Sequence, residues 1–211
     1  MPLPMNPLVL LSCLCLLAFH PVVAQTTPRQ IIVFGDSIAA GNMLPKEQKS
    51  HLWVTLVQEQ SGGRLTMINE GKGGRPTDSF KEFEAMLARQ PKADLLVLAL
   101  GTNDSRDISG QCVPKAVAHL REMITKAREK YGLSLPILLV GPPNLNKDAL
   151  GPTKPIADQR DANLKDLGIA YAALAQELHA DYVSLYGVVP ATSVTKDGVI
   201  PTPREMRPSR R

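Results

Sequence analysis

Asp94-Leu-Leu-Val-Leu-Ala-Leu100 is the stretch that decides the fold. It is apolar on both alternating sets of side chains, as a central strand buried on both faces of a parallel sheet should be. Four other short apolar runs bounded by breakers predict further strands: Gln30–Phe34, Leu65–Asn69, Pro136–Val140 and Asp181–Leu185. Helical periodicity marks the segments between them: Glu47–Gln60, Thr77–Arg89, Val113–Tyr131 and Ile156–His179. This alternation predicts an α/β fold, with a parallel sheet covered by helices on both faces.

Length and charge narrow the class of protein. The 211 residues, 44% apolar and 21% charged, suit one soluble domain with a proper core. The net charge is +4, but the last eight residues, Arg204–Arg211, hold four Arg and one Glu and supply most of it. The rest of the chain is close to neutral and shows no basic stripe interleaved with aromatic residues. We therefore expect no nucleic-acid partner.

The first 24 residues are predicted to be a signal peptide. The apolar run Leu8–Phe19 is too short to span a bilayer, and Val22-Val23-Ala24 offers a cleavage site, although no Lys or Arg precedes the run. A membrane anchor, a buried strand or a lipoprotein site at Cys13 are the alternatives. We expect export to the periplasm or beyond, with no stable membrane insertion after cleavage. Cys112 would then be the only thiol, which excludes an intrachain disulfide and a Cys-ligated metal.

Polar and small residues follow four of the predicted strands, at the edge where open parallel sheets bind ligands. Three of these segments are dense in Gly, Ser, Asn and Asp: Gly35-Asp36-Ser37, Asn69-Glu-Gly-Lys-Gly-Gly-Arg75 and Gly101-Thr-Asn-Asp104. The fourth, Gly141-Pro-Pro-Asn144, opens a long predicted loop that runs to Pro155.

Each of the first three segments can be interpreted as part of a catalytic site or as an ordinary structural element. Ser37 stands where helix-end amides could stabilise an oxyanion, but it also suits a simple helix N-cap. The glycines around Lys72 can present bare N–H groups, yet they fit no phosphate-binding motif and also suit a flexible turn. The Asn103 side chain could donate to an oxyanion, or merely occupy a strand-to-helix turn.

In this order, the segments resemble the GDSL/SGNH ester-hydrolase family from about Gln30 to Pro203. Gly35-Asp36-Ser37 matches the first block, whose Ser is the nucleophile and donates a backbone N–H. Asn69-x-Gly71-x-x-Gly74 is similar to the second, whose last Gly donates another N–H. Gly101-Thr-Asn103-Asp104 matches the third, whose Asn side chain completes the oxyanion hole. Asp197-Gly-Val-Ile-Pro-Thr202 looks like the last, Asp-x-x-His-Pro.

The resemblance implies a three-layer α/β/α sandwich with a flavodoxin-like, five-stranded parallel sheet over residues 25–203. It implies site residues Ser37, Gly74, Asn103 and Asp197, and neither cofactor nor metal. The expected function is exported carboxylic-ester hydrolysis on small, acetyl-type esters of glycans or simple alcohols; thioesters and lysophospholipids are alternatives. A flavodoxin-like or receiver-type binding domain would share the topology, but the Gly-Asp-Ser and Asn103 segments argue against it.

The last block departs from the family, because Ile200 replaces the His that serves as general base. Ile cannot take the proton of Ser37, and loss of a triad base costs on the order of 10⁴–10⁶ in turnover. Of the other histidines, His20 leaves with the signal peptide, His119 lies in a helix and His179 precedes a strand at the opposite edge. His51 is the one candidate substitute. We therefore expect impaired activity, or a catalytically dead member that binds an ester or glycan ligand.

The segment 204–211 is atypical of the family, which continues after this point with a closing helix of small and apolar residues. Arg204-Glu-Met-Arg-Pro-Ser-Arg-Arg211 has no helical pattern. When the first two bases of a reverse translation with G/C-rich codons are dropped, the new reading frame encodes mostly small and apolar residues, Gly-Asp-Ala-Ala-Ile-Ala. We hypothesise a frameshift just before Arg204, natural or from sequencing.

Overall fold

A computed structural model describes residues 27–202 of the chain. The predicted signal peptide and the 204–211 segment lie outside these residues. Five strands form one parallel sheet in the order β2-β1-β3-β4-β5. Their bounds are β1 Arg29–Gly35, β2 Leu65–Asn69, β3 Leu95–Ala99, β4 Ile137–Gly141 and β5 Asp181–Ser184. The predicted α/β fold with a five-stranded parallel sheet is confirmed.

Five α-helices accompany the strands within the described residues: α1 Ser37–Ala40, α2 Trp53–Gln60, α3 Phe80–Arg89, α4 Cys112–Tyr131 and α5 Ala157–Glu177. Short 3₁₀ turns connect several of them, including Lys46–His51, Asp104–Arg106 and Gly151–Ile156. The predicted loop after β4 therefore contains local structure, although it has no long helix. No helix between residues 27 and 202 is long and apolar enough to cross a bilayer.

Two predicted helices begin later than expected. The predicted helix Glu47–Gln60 is interrupted at Leu52, which has an extended backbone. The Leu52 side chain packs against Gly41. The predicted helix Thr77–Arg89 starts only at Phe80. Thr77 is held instead by Asp104, which accepts hydrogen bonds from its backbone N–H at 3.0 Å and from its hydroxyl at 2.5 Å.

The two faces of the sheet are covered unequally. Helices α3, α4 and α5 pack on one face over Phe34, Leu98 and Leu139, which form the main core. On the other face, α1 and α2 pack against β1 and β2. Over β3, β4 and β5 that second face borders a largely apolar cavity of about 280 Å³, whose rim includes the exposed Val188. The prediction that helices cover both faces of the sheet therefore holds fully for the first face and only in part for the second.

Candidate active site

The first segment is a tight passage from β1 into α1. Gly35 ends the strand, and a Cβ on it would lie 2.8 Å from the Cβ of Ala39. Asp36 is the N-cap of α1, and its carboxylate accepts a hydrogen bond from the Ile38 N–H at 2.9 Å. Ser37 is the first residue of the helix and is half-buried. The plain interpretation of Ser37 as an N-cap is therefore wrong, because the residue before it caps the helix and leaves the Ser37 hydroxyl for another use.

Asp36 is a buried carboxyl beside the candidate nucleophile. The residue is 2% exposed. Burial raises the pKa of Asp36 to about 6, against the opposing effect of hydrogen bonds from the Ile38 amide and the Thr102 side chain. The bond from Thr102 joins the first segment to the third, since Thr102 directly precedes Asn103.

The second segment wraps closely around α1. The Asn69 side chain donates to the Ala39 carbonyl at 2.8 Å, and the Lys72 N–H donates to the Gly35 carbonyl at 3.1 Å. A Cβ at Gly71 would lie 2.6 Å from the Ala40 nitrogen, so glycine is needed there for close approach. Gly74 has φ +75° and is exposed, with open space where a Cβ would stand. Because it has no side chain, the Gly74 backbone is open to solvent.

The Arg75 side chain holds the glycine-rich loop against the end of β1. Its guanidinium is buried and donates to the carbonyl oxygens of Gly35, at 2.9 Å, and of Glu70. It also lies 4.0 Å from the centroid of the Phe34 ring and pairs with Glu82 at 2.9 Å. One side chain thus ties the end of β1 to the glycine-rich loop.

The third segment joins the same assembly. The Asn103 side-chain amide donates to the Arg75 carbonyl at 3.1 Å, which directs its NH₂ group toward the glycine-rich loop. Asp104 holds Thr77, as described above, and the Thr77 hydroxyl lies 3.0 Å from Nδ1 of His119. Because the Thr77 hydroxyl donates to the carboxylate, its oxygen is left to accept from His119. The first three of the predicted segments therefore converge at the carboxyl edge of the sheet.

The Asp197 segment forms a tight turn. The Gly198 N–H donates to the Thr195 carbonyl at 2.9 Å, and Gly198 has φ +73°. One carboxylate oxygen of Asp197 accepts from the Thr195 hydroxyl at 2.6 Å and from the N–H groups of Val199 and Ile200 at 3.0 and 3.2 Å. The carboxylate therefore stabilises its own turn.

This turn reaches the Ser37 segment through apolar contacts. Val199 belongs to a small core cluster against which Ile38, the neighbour of Ser37, packs. Ile38 and Pro201 also line the same cavity. Ile200 is 1% exposed, so the residue in the position of the family's base is enclosed by protein.

The described histidines occupy three different places. His119 bonds to Thr77, as stated, and His179 precedes β5, at the edge of the sheet opposite the convergent segments. His51 is half-buried at the end of the 3₁₀ turn Lys46–His51. Among residues 27–202, no group of three or more His, Cys, Asp or Glu side chains is arranged to hold a metal ion.

Sequence reasoning missed the buried polar residues that support the site, namely Thr77, Arg75, Arg160 and Asn163. Arg160 had a usable signal. It lies four residues before Leu164, seven before Leu167 and eleven before Tyr171, on the buried stripe of α5. A charged residue on such a stripe indicates a buried polar contact.

Comparisons with known proteins identify a family and a curated relative. Residues 33–203 match the GDSL-like Lipase/Acylhydrolase family. An arylesterase of Vibrio mimicus is 27% identical over 143 residues, which span 66% of this chain and 66% of the relative's length.

Two solved structures share the fold. A carbohydrate acetylesterase family member from Sinorhizobium meliloti has a TM-score of 0.68 at 22% identity, covering 84% of this chain and 92% of its own. The native aryl esterase of M. smegmatis has a TM-score of 0.67 at 23% identity, covering 85% and 93%.

Proposed function

The chain belongs to the GDSL-like lipase/acylhydrolase family, and from this membership we propose that it is an exported hydrolase of small carboxylic esters with Ser37 as its nucleophile. The observation that carries the proposal is the convergence of the Ser37, Gly74 and Asn103 segments through the Gly35, Arg75 and Thr102 contacts. Similarity to an arylesterase and to a carbohydrate acetylesterase family member favours a short acyl group on an aromatic, simple or sugar alcohol.

In the proposed reaction, Ser37 Oγ attacks the acyl carbonyl and forms the new C–O bond. The carbonyl oxygen becomes an oxyanion, which accepts hydrogen bonds from the Ser37 and Gly74 N–H groups and from the Asn103 amide. The bond to the leaving alcohol then breaks, and the alkoxide takes up a proton. Water attacks the acyl-enzyme, releases the acid and returns the proton to Ser37 Oγ.

The weak step is removal of the Ser37 proton. A general base normally accepts it, but Ile200 occupies that position and its side chain has no acceptor. With Ile200 at this position the proton has to pass to water or to a substitute base such as His51, so turnover is expected to be low. This same observation favours a second candidate function, a catalytically dead family member that holds an ester or glycan ligand.

Ile200→His tests the proposal. The Asp197 turn is intact around residue 200, so an imidazole there would gain the carboxylate as its orienting partner. We expect p-nitrophenyl acetate hydrolysis to rise by at least about a hundredfold, the low end for a positioned general base. Ser37→Ala in each background is the control and should abolish the activity.

Three outcomes separate the candidates. If the unsubstituted protein turns over at ordinary enzyme rates, on the order of 10 s⁻¹, the loss of His at position 200 does not limit its activity. His51→Ala would then test for another base. Activity that survives Ser37→Ala would refute the nucleophile. Binding of an acetylated sugar by calorimetry, with no turnover in either background, would favour the ligand-binding alternative.

Export is proposed on the signal-peptide pattern of the first 24 residues. Cleavage after Ala24 would give a mature chain that begins at or near Gln25. Intact-mass measurement of protein collected outside the cytoplasm tests this. Recovery of the full-length chain in the membrane fraction would contradict it.

A further inference from the structure

The loop that carries Asn103 rests on two buried polar side chains from α5. Arg160 is 1% exposed and Asn163 6%. The Arg160 guanidinium donates to the Ser105 hydroxyl at 3.2 Å, to the Thr102 carbonyl at 3.4 Å and to the Thr153 hydroxyl at 2.7 Å. The Asn163 amide donates at 2.9 Å to the carbonyls of Ser105 and of Asp107.

These contacts bracket Asn103 on both sides. Thr102 precedes it and Ser105 follows it by two residues, and the Ser105 hydroxyl also donates to the Thr102 carbonyl at 2.7 Å. The loop's own backbone forms only a single 3₁₀ turn, Asp104–Arg106. One such turn holds its geometry poorly, so its orientation depends on what it packs against.

A guanidinium is an unusual choice for this position. Burying a cation costs free energy, and the three described partners of Arg160 are neutral oxygens. An apolar side chain of similar volume would fill the space without that cost. What arginine adds is a rigid fork of donors that can hold two oxygens of the loop at once.

We infer that Arg160 is a positioning residue for the reaction: its buried guanidinium fixes the Thr102 carbonyl and the Ser105 hydroxyl, and so aims the Asn103 amide at the oxyanion. The inference rests on the proposed function, in which Asn103 donates to that oxyanion. It assigns a role to α5, which otherwise belongs to the core.

A double-mutant cycle in the Ile200→His background tests this role. Asn103→Ala should lower kcat by about 10²–10³, the effect of removing one oxyanion donor. Arg160→Met should lower kcat by at least about tenfold with little change in KM, because the lost contact forms in the transition state. In the Asn103→Ala background, Arg160→Met should have almost no further effect, since no amide remains to be aimed. Arg160→Lys, with one donor group instead of a fork, should fall between the parent and Arg160→Met.

A merely structural role would give a different pattern. Arg160→Met would then lower kcat by the same factor with and without Asn103, and that result overturns the inference. An unchanged kcat in a folded Arg160→Met protein also overturns it. The matched control is Arg121→Met, which removes the exposed Arg121–Glu177 ion pair of α4 and α5 and should leave kcat unchanged.

Hydrogen exchange gives a readout that does not require turnover. The N–H groups of Ser105, Arg106 and Asp107 donate to carbonyls inside the loop. In Arg160→Met they should exchange at least about tenfold faster than in Arg121→Met, as expected for a locally loosened element. If the Ile200→His protein shows no turnover, the proposed function fails and the aiming of Asn103 at an oxyanion fails with it, but this measurement still decides whether Arg160 holds the Asn103 loop. Equal exchange rates in the two variants would then overturn it.

Discussion

Asp36→Asn separates the charge of the buried Asp36 carboxyl from its capping role. The asparagine Oδ1 can still accept the Ile38 N–H, which caps α1 in the parent at 2.9 Å. The amide carries no charge at any pH. The substitution therefore removes the titration of this group and keeps the local hydrogen bond.

The magnitude follows from the raised pKa. The folded protein holds the Asp36 proton up to about pH 6, whereas the unfolded chain releases it near the ordinary value of 3.8. A carboxyl of this kind contributes stability that is fully present below the unfolded pKa and is lost as the pH rises through the folded pKa. The gap between the two values corresponds to about 3 kcal/mol. Most of that change, roughly 2–3 kcal/mol, falls between pH 4 and pH 7.5.

Urea denaturation followed by circular dichroism at a series of pH values measures the effect. The free energy of unfolding of Asp36→Asn, minus that of the parent, should increase by about 2–3 kcal/mol from pH 4 to pH 7.5. Asp158→Asn is the matched control, because its side chain is 95% exposed and the difference should stay nearly flat. Parallel curves for Asp36→Asn and the parent would refute the raised pKa, and a difference that falls with pH would reverse its sign.

Three further results are expected. In the Ile200→His background a fluorophosphonate probe should label Ser37 and should still label it in Ser184→Ala; labelling that persists in Ser37→Ala would refute the assignment. Gly198→Ala should lower the free energy of unfolding by more than Gly187→Ala. Both glycines have a left-handed backbone, which costs alanine about 1–2 kcal/mol, but only the Cβ at 198 would also lie 2.7 Å from the Asn146 carbonyl oxygen. Equal losses in thermal melts would contradict this prediction. Burial raises the pKa of the Cys112 thiol to about 12. Iodoacetamide at pH 8 should therefore modify this thiol in urea but not in the folded protein, as mass spectrometry would report. Rapid modification of the native chain would contradict the burial of Cys112.

The sheet was predictable because its signals are local. Leu65–Asn69 agrees with the observed β2 at both ends, and the run after Asp94 shows the two-sided burial expected of a central strand. Consecutive apolar residues between breakers need no knowledge of distant partners. The segments after β1, β2 and β3 could be placed together for the same reason, since parallel strands bring their carboxyl ends to one edge.

The features that escaped sequence reasoning depend on contacts between distant residues. Thr77 has helical periodicity, but a carboxylate 27 residues away captures its N–H and delays the helix. Asp36 rather than Ser37 caps α1, a choice between adjacent residues that periodicity cannot resolve. Arg160 reaches a loop more than 50 residues earlier, so its role became visible only in the folded chain.

The strand order has a consequence for the time at which the site matures during synthesis. β3, β4 and β5 each pair with the strand made just before or with β1, so the sheet can grow at one edge as the chain emerges. The segments of Ser37, Gly74 and Asn103 are all present once residue 104 has appeared. The helix that seats the Asn103 loop, with Arg160 and Asn163, comes more than 50 residues later. A nascent chain would thus carry Ser37, Gly74 and Asn103 well before it acquires the helix that supports the Asn103 loop and the Asp197 turn that follows it.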